Sequence, residues 1–297
     1  SPGILKKVTA WNTPERCSSA TKERRMAKIS NEARQQYFER IKEYKQIAEA
    51  ILQREKSLQK VVNAQSPGVA YKYLTLADER LNLASYYLLQ NSLSVTLLGV
   101  KNEAFLNDAR KSCYQAVIYL EEVVSNYVDA PFSDYTEFLE QIDGFEDEKR
   151  YLLVRKLGFT IESVEEAFGA NSKWRWSFVE LEGRYSAVAK NLINFKTFIA
   201  GMDPRVDGYE ARMGHLELVQ MLMVRAADRY REKYELSTLR IDDFKRAISF
   251  LAAIRRIHIL LGDVDKAEEI KKKMDVWKSK METDEKAQAE QRKGAVR

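Results

Sequence analysis

Enzyme chemistry needs a nucleophile beside a base, a cluster of metal ligands or a cradle for phosphate. This sequence of 297 residues is poor in all three. Its two histidines, His215 and His258, stand without a second ligand at helical or turn spacing, so no zinc site is expected. Each reads as a core or surface histidine. No G-x-S-x-G elbow accompanies a credible base, and neither G-x-G-x-x-G nor G-x-x-x-x-G-K-[ST] occurs. The run Asp203-Pro-Arg-Val-Asp207-Gly208 places acids and a glycine as a calcium loop would. Arg205 and Gly214, however, occupy positions where such a loop needs oxygen ligands, so it reads as a turn between helices. The carboxylate pairs Glu121-Glu122 and Glu165-Glu166 would need a closed pocket to work as acid and base, and they read as solvated helix faces. The expectation is a chain with no catalytic residue, cofactor, metal or small-molecule substrate.

Recognition by surfaces is the chemistry left. Aromatic side chains are abundant, with 15 Tyr, 12 Phe and 4 Trp. Aromatics and arginine anchor many interfaces, although most aromatics simply fill cores. The partner-binding candidates are Trp174, Arg175, Trp176 and Tyr185, near a helix start that follows a Gly/Asn/Ser linker. Trp174 and Trp176 are two apart, so they point to different sides of a helix and cannot share one core stripe.

Charge is unevenly placed. Residues 1–30 carry a net +5, residues 271–297 a net +4, and the part between a net −4. Basic ends can bind nucleic acid or anionic surfaces, but a solvated end is the simpler reading, and no nucleic-acid partner is expected. Two cysteines, Cys17 and Cys113, are too few for a disulfide scaffold. They would pair in an oxidising compartment and remain thiols in the cytosol. The longest apolar run, Ile248 to Ile254, is far short of a membrane span. The sequence opens Ser1-Pro2-Gly3, as would follow removal of a leader or a residual cloning segment.

The elements that must position these residues read as helices throughout. Proline and glycine are absent from 18 to 64, and Tyr37, Ile41, Tyr44, Ala48, Ile51, Leu58 and Val62 form a seam with a period near 3.5 residues. Glu55 interrupts that seam. Such a helix is longer than a compact domain of this size, so part of it should project. Further helices follow, with stops at Gly158, Gly169, Gly201 and Gly262. No run of alternating β-branched residues appears. The fold class is therefore all-α, an elongated assembly of antiparallel hairpins with one long projecting N-terminal helix. The expected organisation is an irregular segment at 1–17, the long helix at 18–65, a hairpin bundle at 66–170, a second bundle at 171–281 and a charged, disordered tail at 282–297.

The long helix ending at Gln65-Ser-Pro-Gly68, the tyrosine-rich stretches Tyr71–Tyr87 and Tyr114–Tyr127, and a start that looks processed resemble the flagellar coiling proteins of spirochaetes. These are helical sheath components of periplasmic flagella. The resemblance implies a periplasmic, non-enzymatic structural protein that contacts other flagellar sheath proteins and core flagellin. It further implies lateral assembly on the filament, with effects on curvature and motility. The alternative is a cytoplasmic helical scaffold of the tetratricopeptide kind that binds a partner peptide or helix. Gly262-Asp-Val-Asp-Lys-Ala267 looks like a repeat turn, but the 34-residue pattern does not recur.

Overall fold

The computed structural model of the chain describes residues 29–62 and 68–294. Among them the regular structure is helical: α1 (Asn31–Lys60), α2 (Val69–Leu98), α3 (Glu103–Val124), α4 (Thr136–Glu140), α5 (Asp147–Phe168), α6 (Arg175–Asn191), α7 (Phe195–Phe198), α8 (Tyr209–Lys233), α9 (Ile241–Leu260) and α10 (Val264–Gly294). The fold is all-α, as the 3- and 4-residue apolar spacing predicts.

Caps and glycines explain the ends. Ser30 accepts from the amide of Ala33 at α1, and Asn102 accepts from Ala104 and Phe105 at α3. Gly99 closes α2 with φ of 63°, a left-handed conformation that favours glycine. Gly158 does not stop a helix. It lies inside α5, where a Cβ would fall on the Tyr185 hydroxyl, so its role is close packing between α5 and α6. The helix expected to run to residue 200 ends instead at Asn191, and Asn194 then caps the short α7.

Antiparallel hairpins α2–α3, α5–α6 and α8–α9 stack side by side. Cross-contacts give the directions: Lys156 meets Asp78, Arg225 meets Glu162 and Lys273 meets Asp228, so α2, α5, α8 and α10 run the same way. α3 and α6 run opposite to them, with Arg110 on Ser177 and Arg184 on Glu121. The turns within the hairpins lie at one end, here the upper end, with Ser30. The connections between hairpins lie at the lower end. One apolar core runs from Ala70 to Trp277, so it crosses the 170/171 boundary expected between two bundles.

α1 lies along α2 from Tyr44, whose ring is tilted against that of Tyr86, to Val61, whose carbonyl accepts from Lys72. Over the described residues it is laid on the stack and does not project; 1–28 and 63–67, including the expected irregular segment, lie outside that description. Glu55, the break in the seam, is buried and accepts from Arg80 (2.7 Å) and Tyr119 (2.6 Å). At the other end α10 continues as helix to Gly294. The expected disordered tail from 282 is a correction: Asp284 accepts from Tyr234, Glu285 from Lys245, and Gln288 donates to the Leu239 carbonyl.

Candidate interaction surface

The four partner-binding candidates separate into surface and core. Trp174 lies in the α5–α6 turn at the upper end, and Arg175 opens α6. Trp174 and Trp176 are half-buried and packed against the core edge, while Arg175 is exposed. The guanidinium of Arg110 stacks 3.8 Å from the Trp174 ring, and Arg175 lies 4.6 Å from the Trp176 ring. Arg175 is already bonded to Glu232 of α8. Tyr185 is the correction: only 2% exposed, it donates to the Val154 carbonyl and belongs to the α5–α6 core. Burial pushes its hydroxyl well above the ordinary phenol range.

Around Trp174 a cavity of about 470 Å³ is lined by Lys101, Glu103, Phe168, the 169–172 turn and Lys173. Lys101 is committed to the Phe168 carbonyl and Lys173 to Glu103. The indole N–H of Trp174, Nε of Arg110 and Oδ1 of Asn107 are buried without a protein partner, so this corner has unused polar capacity.

Several of the groups tested for catalysis are engaged by neighbouring groups. Nε2 of His215 contacts the Ala189 carbonyl at 2.9 Å, and burial lowers its pKa to about 4. His258 is buried at the end of α9, with Nδ1 3.3 Å from Asp263. Burial holds its pKa below the ordinary histidine range. The Asp203 carboxylate is taken by the amide and guanidinium of Arg205. No group of three or more potential metal ligands occurs among the described residues. Of the two carboxylate pairs, Glu122 and Glu166 are exposed as expected, whereas Glu121 and Glu165 are ion-paired to Arg184 and Arg229. Cys113 is fully buried, which pushes its thiol up to about 12; Cys17, the other half of the expected pair, lies outside the described residues.

Sequence reasoning missed three buried charges, Arg150, Glu182 and Lys190; Arg150 is bonded to the carbonyls of Ile142, Phe145 and Leu192. Glu182, 1% exposed on α6, is held by Arg225 and Arg229, which also reach Glu162 and Glu165 on α5. Lys190 is buried near the end of α6 with Nζ 4.6 Å from the Tyr135 ring, and burial lowers its pKa to about 8. A charged residue at a seam position, as with Glu55, is the available signal for Glu182.

No described helix is long and apolar enough to cross a membrane. Residues 33–285 match the TP0443 family, so the chain belongs to that family, which is Treponema-associated and points to a spirochaete source. No curated protein and no solved structure matches the chain.

Proposed function

We propose that this member of the TP0443 family is a non-enzymatic structural protein of the periplasmic flagellar sheath. It assembles laterally on the filament, contacts other sheath proteins and core flagellin, and helps to set curvature and motility. The observation that carries the reading is the open helical stack. Its two edge helices, α1 and α10, pack mainly on one neighbour each, α2 and α9. An array built this way leaves long faces for neighbours. The sequence resemblance points the same way, and the Treponema-associated family agrees with its spirochaete part alone. The test is a deletion strain whose filaments are imaged by electron microscopy. Altered filament curvature with a thinner coat is expected; unchanged filaments would overturn the reading.

A second reading, a scaffold that binds a partner helix, has its own observation. Leu152 (60% exposed) and Phe159 (74%) stand on α5, and Met221 and Val224 line a groove on α8 with Ile254 and His258 of α9. Exposed apolar rows on adjacent helices suit a helix-in-groove partner. Capture from a cytoplasmic fraction by the wild type, lost in Leu152→Asp/Phe159→Asp, would favour it.

A further inference from the structure

The charge imbalance of the sequence becomes an axial polarity in the fold. Every connection between hairpins lies at the lower end, and residues 125–148 there hold eight Asp/Glu and no Lys, Arg or His. Glu140, Asp143, Glu148 and Asp207 are exposed, and none forms an ion pair among the described residues. Part of this end is a cleft of about 410 Å³ whose lining holds five carboxylates, Asp143, Glu146, Asp147, Glu148 and Asp207, against two guanidinium groups. Arg212 is paired with Asp147 and buried Arg150 is bonded to backbone carbonyls, and Lys149 pairs with Glu146, so Asp143, Glu148 and Asp207 are the carboxylates left for a partner. Phe145 joins that cleft to a second, more apolar groove between α2 and α5, of about 450 Å³, lined by Tyr71, Leu74, Leu152 and Leu153.

The complement is in the same chain. The 28 residues before Ile29 carry seven Lys/Arg against two Glu. Lys22, Arg24, Arg25 and Lys28 follow an apolar set, Ile4, Leu5, Val8 and Trp11. This segment joins α1 at Ser30, at the upper end. We propose that residues 4–28 of one copy dock on the lower end of a second copy, with Lys22–Lys28 in the acidic cleft and Ile4–Trp11 in the adjoining groove. Copies then associate head to tail.

Reach selects a second copy over the chain's own end. α1 alone separates Ser30 from the lower end by about 45 Å. Lys22 is eight residues from Ser30, a span of about 28 Å at full extension. The basic cluster therefore cannot meet its own acidic end. It can meet that of a copy placed end to end, where the interaction is strongest at low salt. Head-to-tail contacts of this type are heterologous and propagate along a chain of copies unless their rotation closes a ring. The inference extends the assembling role proposed above, but its test uses the purified chain, so its failure leaves lateral binding to a filament untouched.

The experiment is sedimentation velocity on the full chain at low and high salt, with circular dichroism to confirm folding. One variant reverses the acidic end (Glu140→Lys, Asp143→Lys, Asp207→Lys), another the basic segment (Lys22→Glu, Arg24→Glu, Arg25→Glu). The expected result is concentration-dependent association at low salt that is lost at high salt. Each variant alone should associate at least tenfold more weakly, and an equimolar mixture of the two should recover it. A wild type that stays monomeric at low salt, association indifferent to either reversal, or a mixture without recovery would each overturn the proposal. Leu152→Asp should also weaken association; an unchanged constant would remove the apolar groove from it.

Discussion

Two helix contacts in this molecule each hide a glutamate, and they are built differently. Between α6 and α8, Glu182 is enclosed by Arg225 and Arg229 within a continuous apolar core that includes Leu181, Val188, Val219 and Leu222. Between α1 and α2, Glu55 sits beside a small separate cluster of Ala48, Ile51 and Leu83. Its partners are Arg80 and Tyr119, with the exposed pair Arg54–Glu79 alongside, and only the half-buried Leu58 and Val62 reach the main core from this segment. Apolar burial scales with area, whereas exposed ion pairs add little. The α6–α8 contact should therefore open only with the whole fold, and α1 should open alone.

The largest effect expected is at Glu182. Glu182→Ala removes the carboxylate shared by two arginines and should cost roughly 3–5 kcal/mol, read as a loss of global stability in urea titration. A cost below about 1 kcal/mol would mean that Glu162 and Glu165 suffice for both arginines.

Lys190 sharpens the same side of the comparison. Its folded pKa, about 8, lies below the ordinary 10.5, so burial penalises the charged form. Below pH 8 the penalty is present in full. Between about pH 8 and 10.5 the native state gives up its proton first, and stability rises relative to a variant without the group. Lys190→Met should therefore be more stable than wild type at pH 7 by roughly 3 kcal/mol, with the gap closing towards pH 10. A gap independent of pH would place its cause elsewhere.

Glu55→Ala should act locally. We expect a loss of about 2 kcal/mol in the local stability of α1, seen as faster amide exchange from Tyr44 to Leu58. Protection in α6 and α8 should be unchanged. Equal acceleration in both regions would break the comparison.

Trp174→Ala is the smallest stability change expected, because the ring lies at a half-buried corner. Partner capture should fall while the melting temperature moves by no more than a few degrees. A large loss of stability would make Trp174 a core residue, as Tyr185 is.

Much of the α1 region was legible in the sequence. The seam from Tyr37 to Val62 marks the face of α1, and its interruption marks Glu55, which signals a polar partner without naming Arg80 or Tyr119. Gly158 was misleading because a glycine that admits a neighbouring helix looks like one that ends its own. α10 beyond Met281 was invisible to hydropathy, since side-chain hydrogen bonds hold it there instead of apolar burial. Of the candidate surface, the two-residue offset of Trp174 and Trp176 did not separate them, because Trp174 precedes the helix and both rings are half-buried against the core edge. Tyr185 could not be separated from them without the α5 carbonyl it meets. Axial charge polarity needs helix directions, which one-dimensional charge counts do not contain.

The most direct test of the account is quantitative mass spectrometry of periplasmic filaments purified from the native cell, set against the soluble fraction. The account predicts that this chain co-purifies with the filament in stoichiometric proportion to other sheath proteins and core flagellin. Recovery of the chain almost wholly in the soluble fraction, with intact filaments lacking it, would contradict that claim.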